Sequence, residues 1–501
     1  MTSAELLTQE DLDQLSVVGI PPSEINRQLD LFRRPPEPAA LIRPCRPGDG
    51  ITRLSEDEQS LYADLWHSLA ETRRLAKFVP ASGAASRMFK DLNAEDQAHH
   101  FLKSLPRFAF RGALEDHLSQ TGKSLDSMVE GNDSRSVLRL LLDEAGLGYR
   151  QRAKGLILFH DYPDRPRTAL EDHLWEGIGF LSQVGGHCRF HFTVTADHLE
   201  AFRELIDRVG QGVERQFDVT FEVDFSTQSP ATDTIAVDLD NRPCRRSDGT
   251  LLLRPAGHGA LLGNLQRVDA DVVFIKNIDN VAHQRLHPFS IHWKRILAGY
   301  FAALQDKIFE ILARLDSSDD TAGVVNDAQQ LVRSKLATEV PQEIFSRPEQ
   351  AQKDYFERLL DRPLRVCGMV KNEGEPGGGP FWLRDDEGLI SGQIIEQAQV
   401  DLESPDQADR WRSSTHFNPN DLVCGLRDRH GGDYPLADFV DPSTAFVAQK
   451  DHQGRPLKAL ERPGLWNGSM ARWNTAFVEV PLATFTPVKT VFDLLRPEHQ
   501  P

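Results

Sequence analysis

Strand-length apolar runs recur along the chain at 188–195, 218–225, 271–276, 364–370 and 393–400, and helical patterns lie between several of them. A strand that rejoins its sheet after a helix returns parallel to its predecessor, so this alternation points to an α/β architecture with a largely parallel sheet. The run "VVFI" at 272–275 carries the constraint furthest, because it has no polar alternation. That is the pattern of a strand covered on both faces. It ends abruptly in Asn277, Ile278, Asp279 and Asn280. In open α/β sheets ligands bind at the carboxyl ends of strands, and a carboxylate there can meet a hard cation without leaving the surface. A plain polar turn is the competing account, since Asn and Asp favour turns.

Composition narrows the partners. The 501 residues are 40% hydrophobic, enough for two to four domains with their own cores. Lys and Arg total 57 against 75 Asp and Glu, a net charge of -18. That balance opposes sequence-independent attraction to nucleic acid or an anionic membrane, so any cations meeting an anionic ligand must be local. Cysteines stand at 45, 188, 244, 367 and 424 with no C-x-x-C pair, which suggests neither a disulfide framework nor a zinc site. The start, "MTSAELLTQEDLDQL", lacks a basic n-region, and no apolar run is long enough to span a bilayer. The expectation is a cytoplasmic protein with neither nucleic-acid nor membrane partners.

Three segments are expected: a helical extension with a proline-rich arm at 1–75, a core at 76–400 and a smaller subdomain at 401–501. Residues 1–32 predict two short helices, the second capped by Ser23 and burying Ile25, Leu29 and Phe32. The arm "RRPPEPAALIRPCRPGDG" at 33–50 cannot continue a helix and is expected to run extended over the surface. Ser55 and Glu58 form a capping-box pattern before a helix carrying Leu61, Leu65 and Leu69. A mainly helical insertion fills 93–147, and Leu261, Leu262, Leu265 and Val268 mark a helix of about three turns. In "FHDYPDRPRTALEDHL", His160, Asp161, Asp164 and His173 have no standard metal spacing, and Asp172 and His173 read as part of a solvated helix. The glycine-rich "GEPGGGP" at 374–380 is too short for a linker. In "WNGSMARWNTAFVEV", Trp466, Asn467 and Asn474 serve either core packing or a ligand pocket.

"PASGAASRMFKDL" at 80–92 places small residues between a strand and an expected helix start. Uncovered amides at the positive end of a helix make an anion site. The segment is neither a Walker loop nor a dinucleotide fingerprint. It resembles the L-A-G-G-x-G-T-R-M loop of nucleotide-sugar pyrophosphorylases through Ala81, Gly83, Ser86, Arg87 and Met88, with Ser82 and Ala85 replacing two glycines. Further pieces follow in the order seen in UDP-glucose and UDP-N-acetylhexosamine pyrophosphorylases, covering roughly 76–495. "FSTQSP" at 225–230 is similar to F-x-Q-x-x-x-P, "RPAGHG" at 254–259 to P-P-G-H-G, and "IKNIDN" at 275–280 to V-S-N-x-D-N. "GGGPFWLRDDEGLISGQIIEQAQV" at 377–400 is similar to G-G-T followed by V-E-x-A-Q-V. "THFNPNDL" at 415–422 matches F-N-T-N-N-L, and "TFTPVKTVFDLL" at 484–495 matches R-F-x-P-V-K-x-T-S-D-L-L.

The resemblance implies a Rossmann-like GT-A nucleotidyltransferase fold with a mixed, mostly parallel sheet, in a divergent bacterial branch. It implies a cationic set of Arg87, Lys154 and Lys489, and a phosphate-cradling loop of Ala81, Ser82, Gly83, Ala84, Ala85 and Ser86. Gln228, Gly257 and Gly259 would meet the base. His258, Asn277, Gly378, Gly379, Glu396, Asn418 and Asn420 would meet the sugar phosphate, and Asp279 would hold Mg2+. The implied reaction joins a sugar-1-phosphate to a nucleoside triphosphate, UTP by the Gln228 match, with release of pyrophosphate. Such a transfer needs no general base, because the attacking phosphate is already ionised; it needs positioning and charge neutralisation. Family members often continue past D-L-L into a β-helix, whereas this chain ends at Pro501, so a monomer or weak oligomer is expected. Two alternatives stay open: an inactive sugar-nucleotide-binding protein of the same fold, or a glycosyltransferase, for which "DLD" at 238–240 is a formal Asp-x-Asp in an expected edge hairpin.

Overall fold

The computed structural model describes residues 7–119, 123–182, 186–317, 320–374 and 377–501. Residues 1–6 of the expected helical extension, 120–122 of the expected insertion, and 375–376 of the glycine-rich segment lie outside the described residues. The chain divides into two compact units, each assembled from three stretches. One comprises Met1–Glu58, Gln228–Asp271 and Tyr300–Val480, the other Gln59–Thr227, Val272–Gly299 and Pro481–Pro501. These units cut across the contiguous division drawn from the sequence. Both combine β-sheet with helices, so the chain is of the α/β class.

In the second unit, the strands Val272–Lys276, Leu75–Pro80, His187–Val194 and Thr220–Thr227 pair in that order, all parallel. Every residue of Val272–Lys276 is buried, as its unbroken apolar run requires. The helix Ala169–Leu181, opened by a capping box of Thr168 and Glu171, packs here with Asp172, His173 and Glu176 fully buried. This corrects the expectation of a solvated helix. Each of these polar side chains has a buried partner, and a satisfied polar group can enter a core. Helix Glu56–Thr72 keeps its predicted capping box, with the Ser55 amide 2.9 Å from Glu58 Oε2. Its buried face is Trp66 and Leu69, however, while Leu61 and Leu65 are exposed. Trp66 sets that face by donating its indole N–H to the Phe180 carbonyl at 2.8 Å beneath the Arg295 guanidinium. Between 93 and 147 the described residues form the helices Glu95–Ser104, Arg111–Ser119, Leu125–Glu130 and Ser134–Leu142.

In the first unit, the strands Gly50–Thr52, Asn474–Glu479 and Leu364–Lys371 run parallel, while His416–Phe417 and Asp421–Gly425 pair antiparallel with Leu364–Lys371. Two four-stranded antiparallel sheets accompany them, one of Arg43–Pro44, Gly379–Arg384, Ile390–Ile395 and Thr338–Glu339. The other orders Leu253–Arg254, Thr234–Val237, Arg455–Glu461 and Phe446–His452, and the tip after Val237 is the expected hairpin turn at "DLD". Helices Gln9–Val18 and Pro22–Arg33 bury Leu15, Ile25, Leu29 and Phe32 against Ile235, Val237 and Leu460. Ser23 is not the cap: the second helix opens on Pro22, whose fixed φ suits the first helical turn. The proline-rich arm is extended but not superficial. Leu41 and Cys45 are fully buried, and the amides of Ile42 and Cys45 donate to the carbonyls of Trp382 and Pro380. The expected three-turn helix at 258–268 is a 3-10 turn, His258–Leu261, followed by Leu262–Gln266. No helix among the described residues is long and apolar enough to cross a membrane.

Candidate functional site

In the second unit, the turn after Val272–Lys276 delivers Asp279. The Ile278 amide reaches the Pro80 carbonyl at 3.4 Å, and the Asn280 amide closes onto the Asn277 carbonyl at 3.0 Å. Asn280 Oδ1 accepts the Thr486 amide at 2.9 Å, and the Asp279 carbonyl accepts the Val488 amide at 2.9 Å. The segment carrying Lys489 is thereby laid along the strand's end. One oxygen of Asp279, Oδ2, accepts Lys489 Nζ at 3.0 Å and Lys154 Nζ at 3.3 Å. Lys154 also donates to the Val488 carbonyl at 2.9 Å. Burial lowers the Lys154 pKa, with the Asp279 carboxylate opposing that shift. Asp493, which the motif reading passed over, fixes the lysine's backbone by accepting the amides of Lys489 and Thr490 at 2.8 and 2.7 Å.

The small-residue loop joins this cluster through a bridge between Ala84 and Ala153. The Lys154 amide donates to the Gly83 carbonyl and the Ala85 amide to the Arg152 carbonyl, each at 3.0 Å. Ser82, Gly83, Ala84 and Ser86 are exposed, and the amides of Ser82, Gly83 and Ala84 have no protein acceptor among the described residues. The expected helix start is corrected: Ala85–Arg87 is one 3-10 turn with no side-chain cap, a second turn covers Lys90–Asn93, and the α-helix begins at Glu95. The bridge to 152–154 holds the loop extended through Ala84, so uncovered amides, without a long helix dipole, are what it offers an anion. Arg87 is exposed, beside Met88, whose carbonyl accepts the Val491 amide at 2.9 Å. Asn277 is half-buried in the same turn.

In the first unit, His258 and Glu396 line a cavity of about 220 Å³ with Gly257, Gln399, Phe446, Lys450, Glu461, Arg462, Gly464 and Asn467. The strand ends at Ile395, so Glu396 does not continue its alternation; it caps the 3-10 turn Gln397–Gln399. His258 stacks on Trp466 with ring centroids 4.2 Å apart. The Leu465 amide donates to His258 Nδ1 at 2.8 Å, which leaves the ring's proton on Nε2, 3.4 Å from Glu396 Oε1. Asn467 Nδ2 donates to that same oxygen at 3.2 Å. The hydrogen bond from His258 holds the Glu396 carboxyl below the ordinary range, burial works against it, and Asn467 adds to it. Asn467 therefore lines the pocket and Trp466 backs it only through the His258 ring, whereas Asn474 is structural, donating to the carbonyls of Leu360 and Arg362.

Gly378, Asn418 and Asn420 lie near Glu396. The Asn418 amide donates to the Gly378 carbonyl at 2.8 Å, Asn418 Nδ2 donates to Asn420 Oδ1 at 2.8 Å, and a side chain on Gly378 would meet Ile395 and Glu396. Gly379 opens the strand Gly379–Arg384. Gly257 has φ +78°, and a Cβ there would press on the Glu461 carboxylate. Gly259 is closed off differently, for its Cβ would lie 2.0 Å from the Pro463 carbonyl. Gln228 donates to Asp233 at 3.2 Å, and no hydrogen bond among the described residues joins it to His258 or Glu396. Sequence reasoning missed Lys450, Glu461 and Arg462. They sit on and just after a hairpin without any motif, where Lys450 pairs with Glu461 at 3.3 Å and Arg462 donates to the Thr232 carbonyl at 2.8 Å.

Over residues 8–500 the chain matches the family model described as a domain of unknown function, DUF4301. The chain belongs to this family. No curated protein matches it in sequence. Among solved structures, the family member is similar to uridine diphosphate N-acetylglucosamine pyrophosphorylase from Trypanosoma brucei, with 12% identity and a TM-score of 0.49 over 99% of this chain and 80% of that one. It is also similar to UDP-glucose pyrophosphorylase from Leishmania major, with 13% identity and a TM-score of 0.45 over 97% and 78%. For UDP-glucose phosphorylase from Trypanosoma brucei the values are 13% and 0.45, over 98% and 80%.

Proposed function

We propose that this chain is a sugar-1-phosphate nucleotidyltransferase of the Rossmann-like GT-A type, which uses UTP and releases pyrophosphate. One observation carries the reading: two lysines from distant segments, Lys154 and Lys489, converge on the carboxylate at a parallel strand's end, beside a loop of uncovered amides. Two substrates that are both anions need this kind of site, where fixed cations cancel repulsion and hold the reacting oxygen in line with the α-phosphorus. In this reading Lys154, Lys489 and Arg87 bind phosphate oxygens, and the amides of Ser82, Gly83 and Ala84 cradle the terminal phosphates. The sugar-phosphate oxygen attacks the α-phosphorus as the bond to the pyrophosphate oxygen breaks, and no proton needs removal. Within the first unit, Glu396 and Asn467 accept and orient sugar hydroxyls, with His258 held by Trp466 and the Leu465 amide.

Magnesium fits one arrangement only. No group of three or more His, Cys, Asp or Glu that could hold a metal occurs among the described residues. Asp279 offers a single carboxylate, the number that suffices when phosphates and water supply the remaining ligands. A bound magnesium ion supplies charge neutralisation at the phosphates. Incubation with UTP, magnesium and a panel of sugar-1-phosphates tests the proposal by pyrophosphate release. No release with any nucleotide and sugar sinks it. A melting shift with UDP-sugars but no release would indicate a binding protein, and release of free UDP from a UDP-sugar would indicate a glycosyltransferase.

A further inference from the structure

Beneath Asp279, the second unit buries charge where apolar packing would be expected. Lys77, Lys276 and Glu176 are at most 2% exposed, and Lys294 is buried as well. Glu176 Oε1 accepts Lys276 Nζ at 2.6 Å, and Oε2 accepts Lys77 Nζ at 2.9 Å. Lys77 sits across from Phe274 in the register of the neighbouring strands, and Lys276 is two residues further along, so both lysines share the face toward one carboxylate. Lys77 also donates to the His173 carbonyl at 2.9 Å. The His173 ring reaches the Ile278 carbonyl through Nε2 at 3.2 Å, while its Nδ1 is buried without a partner, which places the proton on Nε2. Gly177 makes the approach possible, because a Cβ there would meet Phe190 at 2.4 Å and Lys77 at 3.2 Å.

Replacing buried ion clusters by apolar residues of similar volume is often neutral or stabilising, so stability alone does not account for this one. What apolar side chains would not do is fix the strand's end at two points, Lys276 and Ile278, immediately before Asp279. We propose that Glu176 and His173 are positioning residues that hold the 276–278 segment and thereby set the place of the Asp279 carboxylate. The inference rests on the nucleotidyltransferase reading for its effect on turnover, though not for its effect on the backbone.

The test compares the triple variant Lys77→Met, Glu176→Leu, Lys276→Met with the pair His173→Leu and His173→Gln. In the triple variant amide exchange at 277–280 accelerates by about tenfold or more beyond any change elsewhere in the second unit, whatever the melting midpoint does now that Lys294 has lost Glu176 too. Its kcat falls by about a hundredfold, with KM changing much less. His173→Leu accelerates the same amides, and His173→Gln, whose amide can still donate to the Ile278 carbonyl, restores wild-type protection. If the triple variant does not fold, the His173 pair decides alone. Unchanged exchange at 277–280 in a stable triple variant, or no difference between His173→Leu and His173→Gln, overturns the proposal. Absence of turnover in the wild type overturns the functional reading instead, and the exchange data still decide this one.

Discussion

Replacing Asp279 by Asn should destabilise the protein by an amount that depends on pH. The Asp279 and Lys154 side chains are only 14% and 11% exposed, so their pairing at 3.3 Å lies largely out of water. Removing the carboxylate charge leaves the Lys154 ammonium with the Val488 carbonyl, a like charge on Lys489 and the weaker attraction of Asp493. Breaking a buried pair costs about 3–5 kcal/mol. Lys489 is 54% exposed and turns to water, adding little. An upper bound exists, because Lys154 can shed its proton; from an ordinary lysine value of 10.5 that costs about 5 kcal/mol at about pH 7. We expect a loss of about 3 kcal/mol at that pH. Lys154 already has a lowered pKa, and losing Asp279 lowers it further. Between that lowered value and 10.5 the unfolded chain binds more protons than the folded one, so stability rises with pH there. The deficit of the variant must therefore shrink on going from about pH 7 to about pH 9.5, as read by urea unfolding at each. A deficit that is constant or grows with pH would refute the reasoning, as would a loss under about 1 kcal/mol at neutral pH.

Gly83→Ala adds a methyl with nothing within 4 Å and no positive φ; stability should change by less than about 0.5 kcal/mol, so a raised KM for UTP reports ligand approach, and an unchanged KM removes the loop from the site. Gly259→Ala drives a Cβ to 2.0 Å from the Pro463 carbonyl and should cost about 2 kcal/mol in chemical unfolding. Burial pushes the Asp172 carboxyl up to about 7 from 3.8. The folded state thus binds that proton more tightly than the unfolded one, and its contribution is lost as pH rises from about 4 through about 7. Asp172→Asn should flatten this part of the stability profile, and an identical slope in both proteins would exclude Asp172 as its source. Asn467→Ala should raise the KM for the sugar phosphate with little change in melting midpoint, since Glu396 keeps the His258 contact.

The parts legible in the sequence are those where polarity and burial agree. Asp279 stands out because the apolar run at 272–275 gives way to the polar turn that contains it, and the capping box of Ser55 and Glu58 is local chemistry that needs no tertiary partner. Legibility fails where a charge is buried. In Ala169–Leu181 the residues Glu171, Asp172, His173 and Glu176 suggest solvent, but their partners arrive from elsewhere: His160 and Tyr162 for Asp172, Lys77 and Lys276 for Glu176. Those lysines lie inside apolar strands, where each alone reads as a defect. Only the fold shows that the misfits cancel. The strand-length run at 393–400 departs for a different reason: the strand stops at Ile395, and Glu396 itself caps the turn that follows.

The same distinction bears on the two glycines that the small-residue loop lacks. Ala85 is fully buried, and its amide is committed to the Arg152 carbonyl, so that position faces the protein and a methyl there obstructs no ligand. Ser82 is exposed, and its hydroxyl adds a donor beside a free amide. Gly83 is the glycine that remains, and it is the one whose missing side chain would point into open space. Neither its φ nor its packing requires glycine within the chain itself. A glycine without a folding role, next to Lys154, is what close approach of a phosphate demands. The two positions that differ from the motif are therefore one that faces the protein and one that is exposed, and the retained glycine is exposed with its carbonyl bound to the Lys154 amide.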